Sequence, residues 1–469
     1  MDISDEHLPA TFSRRALLTT ALGAWIAGAL APASPSQAAT RQPSPERRFF
    51  YLASTGDNSA DGRTPATAWR SLNRLGTALY TGAVTRGDSV LFRRGDTFYG
   101  HIEHIPALES TAETPAPLVL DAYGEGDRPV ICGYKICDDP TQWKPVGDGL
   151  WSLELTLRSG AYTGNVDSQN VDVGFVKVDG MIYGQKRWSR SELVDDWDFV
   201  SNANPFVIRS QENPSLDGRR VEMAVGEHLI ASQSGLAVSG LELRGGGAHG
   251  VRTPSGGVHN LHLSDLVITE IGGGELFGSP GARFGNGIEI GIGASGVLVE
   301  NCSVSQCYDV AFTCQGPQTP TARGWRDVVF RGNTAADNTQ SFEVWSSGTD
   351  RGPGSGFVDC AFVDNVCSNA GGGWGARVRP DNVGKSTHLL FYGMELPSPI
   401  DISGNTFRYA AQNYAYFRAG IPPELRLDRN TIELDPTTPL QFGKPFTVAT
   451  AAEWTAAAGV ERNSRFTAR

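Results

Sequence analysis

Eight side chains have the chemistry for work on a polar substrate: His249, Glu289, Asp309, Gln315, Glu343, Trp345, Arg377 and Arg379. Together they suit a sugar chain, whose ring faces stack on an aromatic and whose hydroxyls bond to charged and amide groups. A glycosidic bond is hydrolysed between two carboxyl groups, one an acid and the other a base or nucleophile. The pair stands about 5–5.5 Å apart for retention or about 6.5–9.5 Å for inversion. Glu289, Asp309 and Glu343 are the candidates for that catalytic pair. His249, Gln315, Trp345, Arg377 and Arg379 are the candidates for substrate binding. Any one of these carboxylates is as readily a solvated surface group; their grouping with Trp345 is what points to a site.

Two other readings use the same residues. A polysaccharide lyase abstracts a proton beside a uronate carboxylate, and Arg377, Arg379 and Lys385 are the bases on offer. The acidic cluster repels a polyuronate unless a cation such as Ca²⁺ bridges it, so Ca²⁺ enters only with that reading. A non-catalytic glycan-binding protein would use the surface without turnover. The seven Cys and eight His form no C-x-x-C pair, no H-E-x-x-H and no close ligand cluster, so no metal site and no cofactor are expected.

The elements that must align these residues show in a repeated frame. Seven segments carry apolar residues five and three places before a fixed position and another two places after it. Leu241 and Leu266 hold that position first, then Asn301, Asn333, Asn365, Asn405 and Asn430, at spacings of 25, 35, 32, 32, 40 and 25 residues. An irregular period with a regular core is the mark of a solenoid with variable loops. An Asn recurring at one bend bonds its amide to the coils above and below, in a ladder with rungs about 4.8 Å apart.

After each Asn, period two decides which residues leave the core. Val310 and Phe312, Phe342 and Val344, Trp374 and Ala376, Tyr414 and Tyr416 are expected inward. Asp309, Ala311, Thr313 and Gln315, then Ser341, Glu343, Trp345 and Ser347, are expected outward, with Arg377 and Arg379 on the third coil. Glu289 and His249 join the same face from earlier coils. On this register the Cα atoms of Asp309 and Glu343 lie roughly 8 Å apart.

This frame resembles the right-handed parallel β-helix of secreted bacterial proteins of the pectate-lyase-like superfamily. The opening stretch Tyr51-Leu-Ala-Ser-Thr-Gly-Asp57, Trp69, Gly87-Asp-Ser-Val-Leu-Phe92 and Arg94-Gly-Asp96 supports the resemblance. It implies an all-β solenoid with helical caps at both ends. Ala68, Leu72, Leu75 and Leu79 supply the first cap, and the Ala-rich run around Trp454 the second. β-Helical glycosidases such as the polygalacturonases carry a carboxylate cluster on this face, but their own motifs do not recur here. The expected function is therefore a carbohydrate-active enzyme, first a glycoside hydrolase on a polysaccharide or oligosaccharide, with a polysaccharide lyase as the runner-up.

Composition agrees. Gly is 56 of 469 residues and charged residues are 19%, a turn-rich β signature. A net charge of −11 gives no reason to expect nucleic acid or a membrane surface as partner. The mature domain is expected to span 49–469, with 140–230 an elaboration that breaks the period and carries the hairpin signal Val176-Lys-Val-Asp-Gly-Met-Ile182. Its Lys186, Arg187, Trp188 and Trp197 offer either local packing or one wall of a cleft. Residues 1–38, with Arg14-Arg15 before a mild apolar run of about 15 residues and small residues at the end, read as a twin-arginine export signal, and 39–48 as a linker. The mature protein is then secreted or periplasmic. Replacing Arg14 and Arg15 together by Lys is expected to leave precursor in the cytoplasm, measured by cell fractionation; unchanged export would assign the segment to the general secretory route.

Overall fold

The computed structural model describes residues 47–103, 105–106, 116–155, 172–201, 205–254, 256–276, 279 and 281–469. Residues 1–38, read from the sequence as an export signal, and most of 39–48, read as a linker, lie outside them. Strands stack in parallel into three long sheets, of 11, ten and seven strands, each strand pairing with its counterparts one coil before and after. The chain is a parallel β-helix. Its interior is one continuous apolar column from Phe50 and Trp69 through Phe312, Phe330, Phe342 and Phe362 to Trp454. Phe342 and Phe362 stack with centroids 4.5 Å apart, and Phe330 meets Phe342 edge-on at 5.7 Å.

Both ends are covered by helices. Ser71 caps the helix Leu72–Tyr80 by accepting the Arg74 N–H, and the buried Leu72, Leu75 and Leu79 close the first coil beneath Trp69. At the other end the helix Ala451–Ala458 presses Trp454 onto the core and stops at Gly459, whose φ of 75° supplies the left-handed turn.

The Asn ladder is real, but it starts one coil later than the sequence frame implies. Asn333, Asn365, Asn405 and Asn430 are each 1–2% exposed. The Oδ1 of each accepts the backbone N–H of the preceding coil: Cys302 to Asn333, Asn333 to Asn365, Asn365 to Asn405 and Asn405 to Asn430, at 2.8–2.9 Å. Their Nδ2 groups donate to carbonyls of the coil before, such as Phe362 O from Asn405 at 2.9 Å. Ser464 and the buried Glu461 terminate the series by accepting from Asn430.

Asn301 is not a rung. Cys302 occupies its place, with Val297, Val299 and Val304 as the inward residues, and Asn301 is exposed at φ 54°. That left-handed position precedes the rung on every coil and is held elsewhere by Gly240, Asp265, Gly332, Asp364, Gly404 and Arg429. Asn suits both the rung and the left-handed turn, so residue type alone misassigned the register by one.

Three other inward assignments change. Trp374 and Ala376 leave the sheet on a short helix, Trp374–Val378, and the strand of that coil is Thr387–Met394. Tyr416 faces out, because Ala415 and Phe417 fill the core beside Tyr414. Ala311 and Ser341, expected outward, turn in at the corner and are buried.

Between the coils at Val130–Cys132 and Leu236–Ser239 two four-stranded antiparallel sheets are inserted. The hairpin Val173–Val178/Met181–Tyr183 turns through Asp179 and Gly180, both at positive φ, as its sequence requires. Lys186 is buried against Asp172, Arg187 pairs with Asp198 at 2.8 Å and Arg219 lies over Trp197, so these residues pack locally. All seven cysteines are buried free thiols.

Replacing Asn405 by Ala is expected to cost about 3 kcal/mol, because it orphans the buried Asn365 N–H along with its own amide partners. Asn301→Gly should stay within about 0.5 kcal/mol, since an exposed left-handed turn accepts Gly. Urea unfolding of the two variants measures the contrast.

Candidate active site

The seven-stranded sheet carries the site on its outer face. Strands Val251–Arg252, Ile288–Gly291, Val310–Pro317, Gln340–Ser347 and Thr387–Met394 run in register and bring Arg252, Glu289, Thr313, Glu343 and Leu390 into one column. Glu289 and Glu343 therefore stand two rungs apart, roughly 10 Å between backbones, with Thr313 between them. A second outward column holds Gly291, Gln315, Trp345 and Gly393. At Gly393 a Cβ would fall 2.8 Å from the Trp345 ring, so glycine there makes room for the indole. The register slips by one between Val344 and Trp345, and the bulge turns out Tyr392 as an additional cleft residue.

Above these columns lies a cleft of about 730 Å³, within the usual size for small-ligand sites. His249, Glu289, Asp309, Gln315, Glu343 and Trp345 all line it, as expected from sequence. Arg377 and Arg379 do not. Arg377 is exposed on the short helix, and Arg379 stands behind Asp309, donating to its Oδ1 at 2.5 Å and to Asp381 at 2.9 Å. Burial opposes its charge, but the two carboxylates hold its pKa above the ordinary value. That excludes Arg379 as a base. The offset between Asp309 and Glu343 is also larger than expected. Val310 pairs with Gln340, so the two acids are four residues apart along the strand and not two.

His228, Arg252, Arg283, Phe284, Asn286 and Tyr392 also line the cleft, with apolar and small residues such as Leu276, Ile292 and Pro317. His228 lies inside the stretch read as elaboration. Counting in twos from His249 puts Val251 outward, whereas Val251 is core and Arg252 faces out.

Each carboxyl group has its own surroundings. Glu289 is gripped through Oε2 alone by His249 Nε2 at 2.8 Å, Asn286 Nδ2 at 3.2 Å and Gln315 Nε2 at 2.5 Å. The hydrogen on His249 Nε2 is assigned by its other nitrogen, Nδ1, which accepts the Asn286 backbone N–H at 2.9 Å. His228 stacks on His249 at 5.0 Å, and Phe284 abuts both rings. Burial disfavours the Glu289 anion, yet His249 first, then the Gln315 amide and His228, outweigh it and hold the pKa at about 2. Oε1 makes no hydrogen bond to any described residue and remains available to a ligand.

Glu343 is 8% exposed and accepts no hydrogen bond from any described residue. Burial first, and the charge of Asp309 second, raise its pKa to about 8. One column thus presents an ionised carboxylate and a protonated carboxylic acid at neutral pH.

The wall opposite is the hairpin Gly274–Glu275/Arg283–Phe284. The insert braces it: Asp172 accepts the Glu275 N–H at 2.6 Å, and Arg283 Nη2 donates to Gly174 O at 2.9 Å. Trp374, whose ring lies 4.6 Å from Phe175 and 5.5 Å from Tyr308, joins insert to solenoid next to Asp309.

No protein-family model matches the sequence, and no curated protein matches it. Solved structures share the fold. XylC in complex with xylose aligns with a TM-score of 0.52 at 10% identity over 84% of this chain and 69% of that one. The GH136 lacto-N-biosidase from Eubacterium ramulus gives 0.45 at 13% identity, covering 90% and 68%. A rhamnogalacturonan lyase gives 0.43 at 13% identity, covering 84% and 74%. Hydrolases and lyases both occur among these neighbours, and at such identities the likeness concerns the β-helix itself.

The Glu343 proton has a consequence for stability. Because the folded protein holds it up to about pH 8 and an unfolded Glu loses it near 4.5, the folded state binds more protons in that window and stability falls as pH rises through it. Glu343→Gln removes the dependence. Its melting temperature relative to the wild type is expected to increase from pH 4.5 to pH 8, measured by calorimetry; a constant difference would mean that Glu343 ionises normally.

Proposed function

We propose that the protein is a glycoside hydrolase in which Glu343 is the general acid and Glu289 the carboxylate that faces the anomeric centre. The observation that carries this reading is the contrast between two carboxyl groups in one column, Glu289 clamped by three donors that favour its anion and Glu343 buried with no donor from any described residue, surroundings that separate acid from base or nucleophile. XylC bound to xylose, the neighbour of highest TM-score reported above, is consistent with a sugar ligand.

In this mechanism the glycosidic oxygen meets the Glu343 proton as the bond to the anomeric carbon lengthens. The positive charge that develops on the sugar is stabilised by Glu289 through its free Oε1, which either bonds the anomeric carbon until water displaces it or takes the proton of the water that attacks directly. By either route the sugar gains a hydroxyl and the leaving group keeps the Glu343 proton. Three donors fix Oε2 and hence the plane of the carboxylate. Asp309 is a positioning residue: its charge adds to burial in keeping Glu343 protonated, and Arg379 holds it in place. Trp345 and Tyr392 offer ring surfaces to the sugar. No cofactor is needed for these steps. Export to the cell exterior, where glycans are met, belongs to the same proposal.

Glu343→Gln and Glu289→Gln are each expected to lower kcat roughly 10²- to 10⁴-fold with the fold intact, measured as new reducing ends from a polysaccharide panel. The wild-type kcat/KM should decline as pH rises through about 8, where Glu343 loses its proton. Asp309→Asn should shift that alkaline limb to lower pH, because it removes a negative neighbour. Near wild-type rates in both Gln variants, or products with the ultraviolet absorbance of an unsaturated uronate, would reject the hydrolase.

A further inference from the structure

Two histidines repeat one arrangement on successive coils. Ile230 pairs with Val251 and Val251 with Ile288, so His228, His249 and Asn286, each two places earlier, stand one rung apart. The His249 backbone N–H donates to His228 Nδ1 at 3.2 Å, and the Asn286 N–H donates to His249 Nδ1 at 2.9 Å. The two rings are parallel to within 7° with centroids 5.0 Å apart, and Phe284 packs against both. An uncharged imidazole that accepts at Nδ1 carries its hydrogen on Nε2. Each histidine therefore has one Nε2–H to place.

The two hydrogens meet different surroundings. His249 Nε2 donates to Glu289, which lies one coil later. Moved back by one rung, the same relation runs from His228 to Arg252, because Arg252 is the register partner of Glu289. A guanidinium has donors only and cannot accept that hydrogen. His228 Nε2 makes no hydrogen bond with any described residue, and it is not sealed from the cleft that His228 lines. Burial first, then His249 and Arg252, lower the His228 pKa well below the usual histidine value, so the group on offer is a single uncharged donor. A donor held there without an acceptor is costly, and in a glycan its natural acceptor is a hydroxyl oxygen.

We propose that His228 binds substrate directly, donating its Nε2–H to a hydroxyl of the sugar unit whose anomeric centre meets Glu289, on the side away from Glu343. The donor then stands about one rung, ~4.8 Å, from the carboxylate, a step that a single sugar ring spans. The unit is thereby selected by a hydroxyl remote from its anomeric carbon. A site that hydrogen-bonds a hydroxyl rejects the analogue lacking it, because the donor is left unpaired. Naming that unit rests on the hydrolase reading; the missing acceptor comes from the ladder itself.

The test uses the full-length mature protein with Glu343→Gln, which binds without turnover. It is titrated calorimetrically with the methyl glycosides of xylose, glucose, galactose and mannose, and with their 3-deoxy and 4-deoxy forms. For at least one sugar, loss of one of these hydroxyls should weaken binding roughly tenfold. His228→Phe, which keeps a stacked ring but no N–H, should weaken the parent sugar to the same degree and leave that deoxy form unaffected. His228→Gln, which can offer an amide N–H, should recover part of the difference. A ring that only supports His249 would instead weaken parent and deoxy sugars equally. That result overturns the proposal, as does a panel in which no glycoside binds or no hydroxyl matters. Reducing ends released by the wild type and not by Glu343→Gln would in that event leave the hydrolase standing. Conversely, a hydroxyl preference that depends on His228, accompanied by unsaturated products from the wild type, keeps the contact and removes the hydrolase.

Discussion

Hydrogen bonding from coil to coil is the constraint on which everything else depends. Each strand is paired on both sides at a spacing near 4.8 Å, so a residue's neighbours on the surface are decided by register and not by proximity in sequence. Glu289 and Glu343 are 54 positions apart in the chain and two rungs apart in space. The buried Asn series helps hold this register where the loops between strands vary in length. Its amides bond each coil to the next inside the core, where a shift by one residue would leave several polar groups without partners.

On that regular scaffold the chemistry arises from unequal surroundings. The surface strands offer several carboxyl groups of similar kind, and their protonation is set by neighbours brought in from elsewhere. His249 and Asn286 come from the turns before their strands and clamp Glu289. No described residue donates to Glu343 in the same way, and Asp309 opposes its charge. The insert and the short helix at Trp374 serve this arrangement indirectly, by steadying the hairpin wall and carrying Arg379 to Asp309.

Much of this was legible in the sequence because apolar periodicity survives variable loops. The fold, both caps, the hairpin at Asp179-Gly180 and six of the eight proposed site residues follow from period two and a recurring bend. Asn301 misled because one residue type satisfies two adjacent backbone demands. The arginine pair misled because Trp374 is apolar for a reason unrelated to the core: it packs on the insert, and its coil takes up its strand only at Thr387. Arg252, His228 and Asn286 were missed since strand starts near turns do not keep a count in twos. No sequence pattern reports which oxygen of Glu289 will be occupied, because the donors come from three separate segments.

The seven cysteines carry a different implication. If the protein works outside the cytoplasm, as proposed, unpaired thiols meet oxidants, yet these lie within packed interior, and burial raises the pKa of Cys302 and Cys367 to about 12. Thiolate is the reactive form, so the folded molecule offers almost none of it. Alkylation would mark only chains whose coils have separated, and the rate at which each thiol is labelled would measure how often, and from which end, the solenoid opens.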